Sequence, residues 1–289
     1  MKNRLEYILF RSLSRLLCFA GMGFARKFSD LIALLFYYVI PIRKAVVKKN
    51  LRIAFPDLSA GEIDRTAFGS YKSFARSLVE ILMMPSLTEE SLRNLVASDS
   101  VGLIKQKHDE GKGVILMTAH YGNWEYSALA IGLYTGIPLY VVTKSQRNTL
   151  VNDWLNSNRT KFGNVIVPLG ASIKLVFKQL YDKKVIAMVA DQRGPSDGIK
   201  MEFMGRETRV YAGPASLSIK TGAPILMGFI ERQPDDSYRM EFQEISMDGL
   251  PSDFEAATTE LTRRHISLLE AQLRKKPEDW LWMHNRWKY

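Results

Sequence analysis

Short apolar runs alternate with amphipathic stretches between residues 113 and 245, and this pattern restricts the possible fold more than any other feature of the sequence. The apolar runs predict buried strands at 113–119, 138–143, 164–168, 185–190, 223–231 and 237–245. The stretches between and after them predict helices at 123–134, 147–162, 172–183, 211–221 and 253–275, with a Gly-rich connection before residue 211. Strand and helix alternating in this way favour a largely parallel central sheet covered by helices. The predicted fold class is therefore α/β.

The region before residue 110 is predicted to be helical. Ser59 and Glu62 have the spacing of a capping box, which opens a helix that runs to Pro85, and a further helical stretch follows Thr88. We find no internal repeat and no low-complexity tract that would divide the chain further.

The positive charge is concentrated at the amino terminus. Residues 1–52 hold eleven Lys or Arg and only Glu6 and Asp30 as acids, so nine of the ten net positive charges of the chain lie there. A basic excess within an apolar segment indicates an anionic membrane surface more than nucleic acid, whose binders spread basic residues over a folded face. The sequence thus predicts a membrane-associating segment at 1–52 and a single α/β domain at 53–289.

The way in which this segment meets a membrane is left open by its pattern. Residues 4–20 have apolar side chains at helical spacing with Arg residues on the other side, which suits an interfacial helix. Residues 31–40 are strongly apolar but well short of the roughly 20 that a straight span needs. A monotopic or re-entrant anchor, a core helix, a tilted span that tolerates a charge, and two basic amphipathic helices packed on the core all remain compatible with the pattern. A cleaved signal peptide is disfavoured, because basic residues follow the apolar stretch.

The sequence gives no indication of a metal or a cofactor. Cys18 is the only cysteine, which excludes an internal disulfide and a cysteine-rich metal site. The four histidines and the acids show no zinc spacing. We therefore predict neither a metal nor a bound cofactor.

The stretch TAHYGNWE, residues 118–125, places polar side chains directly after a predicted strand. His120 ends the strand, Gly122 relaxes the backbone, Asn123 is a good N-cap, and Glu125 lies in the first turn of the next helix. His120 and Glu125 can meet only across this bend, where a histidine with a carboxylate on its other ring nitrogen could take a proton from an alcohol. A polar turn with a structural role has the same pattern.

Two more polar residues are expected near the same edge of the sheet. Asp191 ends a predicted strand, and Arg159 lies in the connection before another strand. The carboxyl ends of the strands in an open α/β sheet are where ligands bind. His120, Asp191 and Arg159 are therefore candidates for one site.

Four blocks in order resemble the lipid A biosynthesis acyltransferases, the late acyltransferases of bacterial lipopolysaccharide assembly, within the wider HX4D/E acyltransferase group. They are TAHYGNWE, VADQRG (189–194), EFMGRETRVYAGPASLSIKTGAPIL (202–226) and PEDWLWMHNRWK (277–288). The resemblance implies that His120 is the general base and Glu125 its orienting partner. It also implies that Arg159 of WLNSNR, Asp191 and Gln192 of VADQ, and Asn123 bind substrate or organise the site. Arg147 is the alternative arginine.

The reaction implied by the resemblance is acyl transfer from a thioester to an alcohol. No protein nucleophile is needed, which fits the lack of a GxSxG motif in the sequence. The donor is expected to be acyl carrier protein or coenzyme A, and the acceptor a phosphorylated, Kdo-bearing lipid A precursor at the cytoplasmic face of the inner membrane. Backbone amides of residues 122–124 are candidate donors to the oxyanion.

The carboxyl-terminal block leaves the exact acceptor open. Asn285 stands where many relatives carry a second basic residue, so a lysophospholipid or a phosphatidylinositol mannoside is an alternative acceptor. Trp280, Trp282 and Trp287 are expected to pack under the sheet rather than to anchor the chain, and His284 is not expected to be catalytic. A third reading, a non-catalytic membrane-binding protein, needs neither His120 nor Glu125.

Overall fold

The structure is a computed structural model that describes residues 1–170 and 173–288. The described strands are β1 Val96–Ala97, β2 Val114–Thr118, β3 Leu139–Thr143, β4 Val165–Pro168, β5 Val185–Val189, β6 Ile199–Phe203, β7 Arg206–Val210, β8 Ile225–Arg232 and β9 Tyr238–Ile245. The described α-helices are α1 Lys2–Leu34, α2 Lys44–Ala54, α3 Ala60–Leu82, α4 Glu89–Leu95, α5 Gly102–Asp109, α6 Trp124–Thr135, α7 Thr149–Arg159, α8 Ile173–Tyr181, α9 Gly213–Thr221 and α10 Phe254–Lys275.

The central sheet has seven strands in the order β1-β9-β8-β2-β5-β3-β4. The five strands from β8 to β4 are parallel to one another, and β9 runs antiparallel to β8. Helices cover the sheet, so the predicted α/β class is confirmed. β2 and β5 are neighbours in register, with Thr118 opposite Val189, and this brings the segments that follow them to the same edge.

Alternate side chains of the strands point into two apolar layers. In β2, Val114 and Leu116 belong to the layer that α4, α5 and α6 cover. Ile115 and Met117 point the other way, into the layer shared with α3, α9 and α10. Burial on both faces is why these strands are apolar throughout.

Most predicted elements occur within a few residues of their predicted bounds. The helix predicted to run to Pro85 ends at Leu82, and the one predicted at 147–162 is the shorter α7. The first residue of the helix predicted at 172–183 lies outside the described residues. The capping box is confirmed, since the side chain of Ser59 accepts from the amide of Glu62 and the Glu62 side chain accepts in return.

The predicted Gly-rich connection after Asp191 is wrong in part, because it contains the antiparallel hairpin β6–β7. Its turn residues Met204 and Gly205 have φ of 51° and 76°. Two positive φ values match the twist of a two-residue hairpin turn, but the sequence signal for such turns is Asn-Gly or Asp-Gly rather than Met-Gly. The short strand β1 was also not predicted, and it interrupts the region before residue 110 that was predicted to be helical, whereas α5 lies within that region as a helix.

The amino-terminal runs predicted separately form one helical stretch, α1 continued by a π-helical turn at Leu35–Val39. Gly21, with φ 82° and ψ 170°, interrupts it. By length and composition alone, the stretch Lys2–Val39 could cross a membrane, and 17% of its most apolar window is buried. The division of the chain at residue 52 stays a prediction. Val47 and Leu51 of α2 lie in the apolar layer that also contains Ile115 and Met117 of β2, so residues before 52 contribute to the core of the α/β domain.

Candidate active site

The loop after β2 is held by hydrogen bonds on both sides of Gly122. Its amide donates to the carbonyl of Asp279 at 2.9 Å, and its carbonyl accepts from the Ser77 hydroxyl at 2.7 Å. Gly122 has φ 54°, and a Cβ built there would lie 2.0 Å from the carbonyl oxygen of Ile230. Only glycine fits this position, so the close approach of β8 fixes the bend between His120 and α6.

His120 is bonded to Asp191 through both its backbone and its ring. The His120 amide donates to Oδ2 of Asp191 at 3.0 Å, and Nδ1 of the ring lies 2.9 Å from Oδ1. The Asp191 side chain is only 2% exposed, whereas that of His120 is 26% exposed. Because an ionised carboxylate can only accept, Nδ1 carries the proton and Nε2 is left with a lone pair that can take a proton.

The negative charge of Asp191 raises the pKa of the His120 imidazole. Burial opposes protonation of His120, but the Asp191 charge and its hydrogen bond outweigh burial and hold the pKa of His120 above 6.5. Burial would raise the pKa of Asp191, yet the His120 charge, the His120 hydrogen bonds and the Trp280 indole lower that pKa to about 2. The Trp280 Nε1–H donates to Oδ2 at 2.6 Å. The carboxylate is therefore ionised wherever the imidazole can act as a base.

The predicted hydrogen bond between His120 and Glu125 is absent from the described structure, and the pairing is corrected. Glu125 forms a bidentate ion pair with Arg159, with contacts of 2.9 Å from Nε and 2.5 Å from Nη2. The reason lies in where the two carboxylates are placed. Glu125 lies in the first turn of α6, where it contacts Arg159, the last residue of α7. Asp191 follows the end of β5 and lies beside the imidazole ring. Glu125 still lies near enough for its charge to raise the pKa of His120.

Arg159 is largely buried by this pairing, with 14% of its side chain exposed. Burial lowers the pKa of Arg159, but the bonds and charge of Glu125 outweigh it and raise that pKa. Its Nη1 has no hydrogen-bond partner among the described residues. The alternative arginine, Arg147, lies apart with 84% of its side chain exposed and its nearest carboxylate, Glu6, at 3.9 Å.

Asn123 lies beneath the site and is fully buried. Its Oδ1 accepts from the amide of Tyr126 at 3.0 Å, which confirms the predicted N-cap, and its Nδ2 donates to Glu80 at 2.9 Å. Both polar atoms of the Asn123 side-chain amide therefore have buried partners within the protein. Gln192, directly after Asp191, is half-buried at the same sheet edge.

A buried ion pair missed by the sequence analysis supports Asn123. Glu80 of α3 is fully buried, and its carboxylate accepts from Arg232 at 2.8 and 3.1 Å and from the Tyr238 hydroxyl. The Tyr126 hydroxyl donates to the Glu80 carbonyl at 3.0 Å. A lone acid in the apolar run SLVEILMM was the available signal, since an acid in such a run needs a buried partner.

The carboxyl-terminal block closes the other side of the site. Trp280, Trp282 and Trp287 are buried, so the predicted packing is confirmed. The amide of Leu281 donates to the carbonyl of His120 at 3.0 Å, and Nε2 of His284 accepts from the amide of Arg193 at 3.2 Å. Each contact holds one of the two segments that carry His120 and Asp191.

The two remaining histidines lie outside this arrangement. His108 is partly exposed on α5, 3.6 Å from Asp109. His265 is buried on α10, and burial lowers its pKa to about 4. Within residues 1–170 and 173–288, no group of three or more His, Cys, Asp or Glu side chains is placed to hold a metal ion.

Comparison with known proteins gives matches along nearly the whole chain. The profile of the bacterial lipid A biosynthesis acyltransferase family matches residues 5–289. The lipid A biosynthesis palmitoleoyltransferase of Escherichia coli K12 is 22% identical over 248 residues, 85% of this chain and 79% of that protein. The phosphatidylinositol mannoside acyltransferase of Mycolicibacterium smegmatis is 24% identical over 245 residues, 83% of this chain and 78% of that protein. The lipid A biosynthesis lauroyltransferase of Escherichia coli K12 is 22% identical over 249 residues.

Proposed function

The chain belongs to the bacterial lipid A biosynthesis acyltransferase family, and from this premise we propose that it moves a fatty acyl group from a thioester to a hydroxyl of a lipid A precursor, with His120 as the general base. The coarser activity, an enzyme that acylates a lipid acceptor, follows from the family and from its named acyltransferase relatives. The observation that carries the proposal for this site is the 2.9 Å contact between Nδ1 of His120 and Asp191.

The proposed reaction is a direct transfer. Nε2 of His120 takes the proton of the acceptor hydroxyl while the oxygen attacks the thioester carbonyl carbon. The new C–O bond gives a tetrahedral oxyanion. The C–S bond of that intermediate then breaks, and the leaving thiolate takes the proton from the imidazolium. No covalent acyl-enzyme is formed.

Asp191 has the orienting role in this proposal. It fixes the tautomer in which Nε2 is the base and stabilises the imidazolium that forms. The Glu125–Arg159 pair shapes the neighbouring wall, and the proposed partner for Nη1 of Arg159, which is buried without a hydrogen-bond partner among the described residues, is a phosphate or carboxylate of the acceptor. Of the amides expected to serve the oxyanion, that of Gly122 already donates to Asp279, which leaves those of Asn123 and Trp124.

The proposed donor is acyl carrier protein or coenzyme A, and the proposed location is the cytoplasmic face of the inner membrane. A second acceptor class has a specific observation in its favour. The mannoside acyltransferase of M. smegmatis is as similar to this chain as the E. coli palmitoleoyltransferase, at 24% against 22% identity. A phosphatidylinositol mannoside acceptor uses the same base and the same thioester chemistry.

The decisive test is transfer of labelled acyl groups from acyl carrier protein to a Kdo-bearing lipid A precursor by the detergent-solubilised protein. We expect transfer by the wild type and a loss of about 10² to 10⁴ in rate for His120→Ala. His108→Ala, at a partly exposed histidine of α5 that pairs with Asp109, is the matched control and keeps the wild-type rate.

Two outcomes contradict parts of the proposal. Transfer to a mannolipid or a lysophospholipid, with none to the lipid A precursor, removes the proposed acceptor and keeps the base. A wild-type rate in His120→Ala overturns the mechanism on every acceptor.

A further inference from the structure

The helix α1 is attached to the folded domain near both of its ends. At its start, Asn148 donates to the carbonyl of Asn3 at 2.9 Å, and the ring of Phe10 meets Trp154 edge-on at 4.7 Å. In its middle, the hydroxyl of Ser14 donates to the carbonyl of Leu82 at 2.7 Å. One face of α1 therefore lies along α7 and α3.

The charged residues in the second half of α1 belong to the same attachment. Arg26 donates to the carbonyl of Asp236 at 2.8 Å. Arg76 of α3 donates to Ser29 at 2.8 Å and pairs with Asp30 at 3.3 Å. Drawing this half into a bilayer would break these bonds and place three charged residues, Arg26, Lys27 and Asp30, in hydrocarbon.

The interruption and the charges of α1 also disagree with a straight span. Gly21 divides α1 into residues 2–20 and 22–34, which are about 28 Å and 20 Å long against the ~30 Å of a hydrocarbon core. The first part carries five charged residues and the second part three. A stretch of this kind is better suited to lying along an interface than to crossing it.

The face of α1 turned away from the domain is apolar and exposed. Its large exposed side chains are Leu5, Ile8, Leu9, Leu16, Phe19, Phe24, Leu31 and Leu34, and the π-helical turn and the residue after it add Leu35, Tyr38, Val39 and Ile40. Exposed basic residues accompany them across residues 1–52: Lys2, Arg4, Arg15, Lys27, Arg43, Lys49 and Arg52. The two acids of this segment are already paired, Glu6 with Arg147 and Asp30 with Arg76.

We propose that α1 is an in-plane anchor: its exposed apolar face inserts into one leaflet of an anionic phospholipid bilayer, and both of its ends stay on the side of the folded domain. The occupant is a lipid surface because the apolar face is accompanied by exposed cations and no unpaired acid, which matches phosphate headgroups. Since α7 ends at Arg159 and packs on the first turns of α1, the anchor also holds this wall of the site close to the bilayer.

The topology is tested with single cysteines in a Cys18→Ser background, because Cys18 is the only cysteine. Asn3→Cys and Ala45→Cys report the two flanks of α1, and Asp109→Cys reports the folded domain; all three positions are exposed. In intact bacterial spheroplasts treated with an impermeant maleimide, we expect all three cysteines to share one behaviour, unlabelled until the membrane is permeabilised. Labelling of Asn3→Cys in intact spheroplasts while Asp109→Cys stays protected shows a span and overturns the proposal.

The lipid is tested by flotation of the full-length protein with vesicles of phosphatidylglycerol and phosphatidylcholine or of phosphatidylcholine alone. We expect binding to the anionic vesicles that weakens with salt, and a loss of about 30-fold for the pair Arg4→Gln and Arg15→Gln, since each basic residue near the surface contributes about 1 kcal/mol. The matched control, Lys105→Gln with Lys200→Gln, changes two exposed lysines elsewhere and keeps wild-type binding.

Either of two results contradicts the lipid as occupant. One is equal binding to both vesicle types, and the other is a soluble dimer that binds neither. None of these readouts measures acyl transfer, so failure of the anchor and failure of the proposed activity are distinguishable.

Discussion

Asp191 lies 2.9 Å from Nδ1 of His120, although 71 residues separate the two in the chain, and the carboxylate five residues after the histidine is bonded to Arg159 instead. The two carboxylates therefore have different neighbours and different roles. Asp191 acts on the protonation of the imidazole, and Glu125 acts on the position of the arginine.

Replacing Asp191 by Asn is expected to lower both the rate and the pH at which the enzyme becomes active. The base must be neutral, so activity rises with pH through the pKa of His120, which Asp191 holds above 6.5. Without this charge the midpoint moves to lower pH. The Asn amide can also donate to Nδ1 and favour the wrong tautomer, which is expected to lower the rate by a factor on the order of 10² to 10⁴. The profile of kcat/KM against pH measures both effects. An unshifted midpoint would show that another group is the base.

Glu125→Gln is expected to reduce activity without an equal shift of the midpoint of the pH profile, because Glu125 bonds Arg159 and not the imidazole.

Arg159→Lys is expected to lower the free energy of unfolding although it keeps the positive charge, since a lysine cannot make the two parallel bonds of the guanidinium to Glu125. Breaking a buried pair of this kind costs about 3–5 kcal/mol. Urea unfolding of both single variants and of the double variant gives the coupling energy, and a coupling near zero contradicts the pairing.

Gly122→Ala is expected to be more destabilising than Gly136→Ala. Both glycines have positive φ, at 54° and 66°, but a Cβ at Gly122 would meet the carbonyl of Ile230 at 2.0 Å while nothing lies within 4 Å at Gly136. Gly136→Ala therefore measures the backbone cost alone, about 1–2 kcal/mol. Thermal unfolding compares the two variants. Equal losses would mean that β8 moves to accommodate the methyl group.

Glu80→Gln is expected to lower the free energy of unfolding by about 3–5 kcal/mol, because it leaves Arg232 buried without a full counter-charge. Glu260→Gln is the control, since Glu260 pairs with exposed Arg263 and such pairs contribute about 0–1 kcal/mol. Urea unfolding measures the free energy of unfolding of both variants. If the two variants lose the same stability, the Glu80 pair does not hold the loop through Asn123.

Local patterns in the sequence were sufficient for much of the fold. The apolar runs locate β2 and β5, the capping residues locate the starts of α3 and α6, and the end of β2 locates His120 at the carboxyl edge of the sheet. These features depend on residues within a few positions of one another, where propensity and periodicity act.

The pairings of charged groups were decided by tertiary structure. β2 and β5 are neighbours in the sheet, which brings Asp191 to His120, and the packing of α6 on α7 takes Glu125 to Arg159. Glu80 pairs with Arg232 only because α3 lies across the end of β8. In the same way, Arg26 of α1 bonds Asp236 beside β9, and Ser29 of α1 bonds Arg76 of α3. The sequence by itself determined which polar groups the strands and helices present. Which groups meet depended on contacts between distant segments, because a carboxylate bonds whichever donor the folded chain brings within about 3 Å of it.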